Sequence, residues 1–150
     1  MLTTDMMSII QQSNLAFAAT KNEDGTPNLS PKSTLRRWDD NHLIFANLAS
    51  PGTISNLKRD PYIEINCVDV FSRRGYRFAG IASIHTSGDT LYEKFCDLIS
   101  RELGPATLVH DAVLIKLTSV KPVLSPAYEK QGVTEEGLRK TYLKRYGVND

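Results

Sequence analysis

The chain has 150 residues, 41% hydrophobic and 23% charged, the proportions of one globular domain that can bury a core without metal or disulfide support. A formal net charge of +1 excludes the overall basic footprint of a binder of nucleic acid or anionic membranes. Cys67 and Cys96 stand far apart with no CxxC spacing, so metal binding has little support and two buried reduced thiols are expected.

Met1 to Gln12 has no basic stretch leading into a long apolar run, and no segment approaches the roughly 18 apolar residues of a membrane span. The cytosol is the expected compartment. Asp5 to Gln12 is predicted as a short helix capped by Thr4. Leu15 to Thr20 reads as a buried strand, and the turn formers Asn22 to Pro27, with an Asp-Gly pair, predict a hairpin. The returning strand is expected over Asn28 to Trp38, with Pro31 at an edge or bulge. Asp39-Asp40-Asn41 is a second turn, leading to the apolar strand His42 to Asn47.

Ser50-Pro51-Gly52-Thr53 then resembles a helix entrance, with about two turns available before Asp60-Pro61 ends the helix. Tyr62 to Val70 alternates, with Ile63, Ile65 and Cys67 on one face. The basic loop Ser72 to Gly75 precedes a strand over Tyr76 to His85, in which Gly80 marks a bulge or a close backbone approach. Asp89 to Leu103 has helical apolar spacing and stops at Gly104-Pro105. Ala112 to Leu117 is a late strand. Thr134 to Tyr146 is a terminal helix with acidic residues first, basic residues last and Gly147 as its stop. About six turn-linked strands with peripheral helices predict a mainly β fold, an antiparallel barrel or sheet rather than βαβ units.

The segment from Pro27 to Pro61 holds the chemistry. It sets the polar strand Asn28 to Thr34 beside a strand ending in Asn47-Leu48-Ala49-Ser50-Pro51-Gly52-Thr53. A hydroxyl- and glycine-containing turn at a helix N-terminus suits a phosphate, because free N–H groups and the helix dipole both favour negative charge. Ser50 and Thr53 offer hydroxyls there, and Lys32 or Lys58 offers a cation. The ordinary alternative is a plain helix cap with solvated lysines.

Several stretches in order resemble the FMN-binding split-barrel family of pyridoxamine-phosphate-oxidase-like proteins. They are Leu15 to Thr20, Asp24 to Lys32, Leu43-Ile44-Phe45-Ala46, Thr53 with Asn56-Leu57-Lys58, Asp60-Pro61, Arg74 to Arg77 with Gly80, and Ser125 to Tyr128. The resemblance spans nearly the whole chain. It implies one domain over residues 1–150, a six-stranded antiparallel split barrel that forms a homodimer with FMN at the subunit interface. Carried over residue by residue, it puts Ser30, Lys32, Ser33 and Thr34 along the flavin ring and ribityl chain, and Asn47 and Leu48 beside the ring. Ser50, Gly52 and Thr53 match the phosphate turn, with Asn56 one turn on, while Arg74 and Tyr76 approach from the partner subunit. The implied activity is a flavin-dependent oxidoreductase acting on a small molecule or reduced nicotinamide. A non-catalytic flavin carrier, or a related barrel using deazaflavin or haem, is the alternative.

Two departures qualify the resemblance. Pro51-Gly52-Thr53 stands where the oxidase carries more cations, which shifts the phosphate onto N–H groups, hydroxyls and Lys32. The oxidase's arginine-rich C-terminal pattern for pyridoxal phosphate is missing, and Lys144-Arg145-Tyr146-Gly147 does not replace it. A true pyridoxamine-phosphate oxidase is therefore not expected. His42, His85 and His110 are scattered and read as structural or exposed, with no nucleophile–His–carboxylate arrangement. Trp38 is expected to pack on a neighbour, Arg73-Arg74 to be a solvated loop, and Asp39-Asp40 to be turn chemistry.

Overall fold

Alternating burial sorts the strand residues into an inside and an outside. The computed structural model describes residues 1–148. Among these the strands are β1 (Ala16–Lys21), β2 (Pro27–Lys32), β3 (Arg36–Arg37), β4 (His42–Asn47), β5 (Tyr62–Asp69), β6 (Arg74–His85) and β7 (Asp111–Leu124). The helices are α1 (Thr4–Ser13), α2 (Pro51–Arg59), α3 (Thr90–Leu103) and α4 (Glu135–Arg145). The strands pair antiparallel in the order β2-β1-β5-β6-β7-β4-β3. The expected mainly β architecture with peripheral helices is present, with seven strands rather than six.

The extra strand comes from a seam. β2 and β3 are opposite edges of the sheet, yet only Ser33, Thr34 and Leu35 separate them in sequence. So short a link forces the sheet to curl until its edges meet. The single strand expected over Asn28 to Trp38 is thus divided, because the chain leaves one edge ladder and joins the other. Thr34 clasps the seam: only 1% exposed, its hydroxyl accepts the Ala46 N–H of β4 at 2.9 Å. Pro31 falls on edge strand β2, where its missing N–H breaks no ladder on the outer side.

Ile63, Ile65 and Cys67 all face inward, as their alternation predicts, with exposures of 0%, 1% and 0%. Burial pushes the Cys67 thiol up to about 12, so it packs as an inert apolar group. Ile9 of α1 and Ile54 and Leu57 of α2 complete this inner core. A second apolar cluster lies where Phe95 and Ile99 of α3 pack on Ile44, Ala46 and Ala112. The α1 cap is Thr3, whose hydroxyl accepts the Met6 N–H at 3.2 Å; Thr4, the expected cap, is already the first helical residue.

β6 starts two residues earlier than its apolar pattern predicts. Asp69 accepts the N–H groups of Phe71 and Arg73, through its side chain and its carbonyl, and tightens the turn so that Arg74 and Gly75 already pair with β5. Gly80 sits at a register shift between β6 and β7, and a Cβ there would lie 2.3 Å from the Lys116 carbonyl oxygen. Both expectations for Gly80, bulge and close approach, are met. β7 runs seven residues past its predicted end at Leu117. β4 pairs only with residues 111–116, so the rest of β7 has one neighbour and tolerates Pro122. α4 ends at Arg145, and Gly147 adopts a left-handed φ of 67° as its stop.

Candidate functional site

The seam and the end of β4 enclose a cleft of about 280 Å³ lined by Ser30 to Thr34, Ala46 and Leu48 to Ser50. A neighbouring cavity of about 380 Å³ shares Lys32 and Ser33 and is walled by α1 through Met7 and Ile10. Arg36 braces the seam between them. Its guanidinium donates to the carbonyls of Ser33 and Leu35, at 3.1 and 2.9 Å, and to Glu102 of α3 at 2.6 Å.

Lys32 ends β2 with its side chain turned in, 4% exposed. The ammonium donates to Ser30 Oγ at 2.8 Å and to Ser50 Oγ, and lies 5.4 Å from the centre of the Phe45 ring. Hydroxyls and a ring face stabilise a cation without neutralising it. Among the described residues no carboxylate pairs with it. Burial accordingly pushes the Lys32 ammonium below the ordinary lysine range. The cleft therefore presents a buried cation whose partners among the described residues are hydroxyls and a ring face.

The N-terminus of α2 adjoins that charge. Ser50 is its N-cap residue, but the Ser50 hydroxyl does not cap the helix and instead accepts from Lys32. Pro51 has no N–H, so the first-turn N–H groups of Gly52 and Thr53 are those left beyond the intrahelical ladder. Asn47 fixes this turn from behind: its Oδ1 accepts the Ser50 N–H, and its Nδ2 donates to Asp111, both at 2.8 Å.

Of the residues singled out from sequence, Ser30, Lys32, Ser33, Thr34, Leu48 and Ser50 line the cleft together. Gly52 is exposed at the helix start, with open space around it. Thr53 is 2% exposed and its hydroxyl accepts a long 3.5 Å bond from Asn28. Asn56 donates to Thr20 at 3.0 Å and Asn22 at 2.9 Å, tying α2 to the β1–β2 hairpin. Arg74 and Tyr76 lie apart from the cleft. Arg74 forms a two-pronged pair with Asp5 and a further bond to Glu135, and Tyr76 donates to Asp5. Lys58 and Trp38 do not line it either.

The histidines show no partners in sequence, and for two of them the structure supplies one: His42 meets Asp39 at 2.8 Å, and His85 meets Ser83 and Asp89. Ser83 and His85 share a face of β6, and Asp89 returns across the following turn to meet the ring. The Ser-x-His spacing on a strand was the available signal, since alternate residues share a face. Nothing in the sequence reported where Asp89 would fold back.

The family model for pyridoxamine 5'-phosphate oxidase matches residues 2–121. The Methanocaldococcus jannaschii protein MJ0282 is 25% identical over 124 residues, 79% of this chain and 78% of that one. The crystal structure of HupZ from Group A Streptococcus superposes with a TM-score of 0.73 at 31% identity, covering 83% of this chain and 96% of that chain. An FMN-binding protein from Syntrophomonas wolfei shares the fold, with a TM-score of 0.68 at 16% identity over 80% of this chain and 84% of that one. With four-fifths of its length inside the family match and the seam-built cleft within that match, the chain belongs to the pyridoxamine 5'-phosphate oxidase family.

Proposed function

We propose that the protein binds FMN, with the phosphate seated between Lys32, Ser50 and the first-turn N–H groups of α2. The observation that carries this reading is the buried Lys32 ammonium, which has hydroxyl partners but no counter-charge among the described residues. A phosphate dianion supplies that charge and accepts from Ser50 and the helix N-terminus as well. The donor set fits the group. The adjoining cavity, sharing Lys32 and Ser33, gives space beyond the phosphate for the rest of the molecule. Membership of the family and a shared fold with an FMN-binding protein support the same reading.

A bound flavin supplies two-electron redox chemistry; the chain's own part is to hold and orient it. The seam backbone at Ser33 and Thr34, beside the carbonyls that Arg36 braces, would donate to a polar ring edge. Oxidation of a small organic substrate or of reduced nicotinamide is the proposed activity. Oxidation of pyridoxamine phosphate itself is not proposed, because the arginine-rich C-terminal pattern with which the oxidase holds pyridoxal phosphate is missing from the sequence. The visible spectrum of purified protein titrated with FMN tests the binding: saturable perturbation of the flavin bands is expected, and none at micromolar FMN would sink it. Anaerobic mixing with reduced nicotinamides then separates a reductase from a carrier, through bleaching of the bound flavin.

The proposal includes a homodimer. Leu15, Phe17, Leu29, Val68 and Val70 line a groove of about 810 Å³ on the outer sheet face. The same face carries Glu64 and Arg77, 4.0 Å apart. Opposite charges on one patch let a twofold axis bring Arg77 of each copy to Glu64 of the other, so the face complements itself. Sedimentation should show a dimer that dissociates on Phe17→Asp. A monomeric wild-type chain would refute this part.

A further inference from the structure

A second chemical constellation lies on the outer face of β6, away from the cleft. Ser83 Oγ is 2.9 Å from His85 Nε2, and His85 Nδ1 is 2.7 Å from Asp89 Oδ2. The Asp89 carboxylate fixes the ring proton on Nδ1, because a carboxylate only accepts. Nε2 then carries a lone pair and accepts the Ser83 O–H. The hydrogen bond from His85 is the main reason Asp89 sits below the usual carboxylate range, which keeps it ionised.

Helix capping accounts for only part of this arrangement. Asp89 Oδ1 accepts the Leu91 N–H at 2.8 Å and caps α3, leaving Oδ2 for the histidine. Glu93 accepts the Gly88 N–H at 3.1 Å and closes the same turn. Neither contact needs Ser83, which sits on the strand. A nucleophile, a base within reach of it and a third group orienting the base are the parts that activate a hydroxyl.

We propose that Ser83 is an activated nucleophile that accepts an acyl group from small activated carboxylic esters. Its Oγ bonds to the carbonyl carbon as its proton passes to His85 Nε2. The bond to the leaving alcohol or phenol then breaks, the leaving group takes the proton, and the acyl group remains on Ser83 as an ester. Ser83 is exposed rather than sunk in a cavity, which restricts the donors to small esters with good leaving groups. This site is independent of the flavin reading.

p-Nitrophenyl acetate mixed with the full chain is the test. A burst of nitrophenolate equal to the protein present is expected, with one acetyl group recovered on the Ser83 peptide. Ser83→Ala should abolish the burst. His85→Gln should slow it about 100-fold, the scale of a lost general base. Asp89→Asn, which still caps α3, should slow it at least about tenfold by releasing the ring tautomer. Ser83 and Asp89 are exposed and His85 is half-buried, and circular dichroism confirms that the variants remain folded. Acetylation confined to lysines, or Ser83 acetylation in His85→Gln at the wild-type rate, would overturn the proposal.

Discussion

Lys32→Met should cost about 100-fold in FMN affinity while leaving the ligand-free protein folded and at least as stable as before. The affinity loss is about 2.8 kcal/mol at 1.4 kcal/mol per tenfold, within the range for truncating a desolvated, hydrogen-bonded charge pair. Stability moves the other way because the wild-type side chain holds a cation out of water without a counter-ion. Methionine keeps the length and apolar stem and removes the charge. The pH dependence gives a second readout. A lysine whose folded pKa lies below its unfolded one binds fewer protons when folded, across the interval between those two values. Stability of the ligand-free wild type should therefore rise with pH from the lowered folded value up to the ordinary lysine range. Denaturation series in the alkaline range should show that rise in the wild type and lose it in Lys32→Met.

Gly75→Ala is expected to be the most destabilising single-methyl change in the sheet. A Cβ at Gly75 would fall 1.9 Å from the Cys67 carbonyl oxygen and 2.7 Å from the Val68 Cα. Both are backbone atoms of β5, so no side-chain rotation relieves the clash and the strands must part. Overpacking commonly costs about 1–3 kcal/mol, and a clash with fixed backbone belongs at or above its upper end. At about 2–4 °C per kcal/mol for a chain of this size, the melting temperature should fall by roughly 10 °C. Gly52→Ala, with nothing within 4 Å of the added carbon, is the matched control and should melt close to wild type. Equal melting of the two variants would show that β5 and β6 yield where the structure holds them together.

The same glycine shows why parts of the fold were hidden. Ser72 to Gly75 reads as a basic loop because Arg-Arg-Gly is polar and contains a turn former. What draws Arg74 and Gly75 into β6 is the approach of β5, a tertiary fact. The seam was hidden for a related reason: Asn28 to Trp38 reads as one extended segment, and both halves are extended. The break at Ser33 to Leu35 follows from curling of the sheet, not from local preference. By contrast, β5 was legible because Ile63, Ile65 and Cys67 alternate strictly with polar residues, and α3 because its apolar spacing is helical.

Within the site, the turn at Ser50 to Thr53 was visible as a helix entrance with hydroxyls. The Lys32 ammonium was visible only as one cation among several. Its burial, and its bond to Ser50 across 18 positions, depend on the curl that brings the end of β2 to the turn after β4. Arg74 and Tyr76 came from the family resemblance alone, and in the chain both serve the charge cluster joining α1, β6 and α4. Asn56, one turn beyond the phosphate turn in the family resemblance, bridges α2 to the β1–β2 hairpin. Distance along the chain carries no record of such partners.

Titrating FMN and riboflavin side by side, on wild type and on Lys32→Met, measures the phosphate's contribution directly, since the ligands differ only in that group. Wild type should prefer FMN by about 100-fold, and Lys32→Met should erase most of the preference while leaving riboflavin affinity nearly unchanged. Equal affinities in the wild type, or a preference that survives loss of Lys32, would contradict a flavin phosphate seated against the buried ammonium.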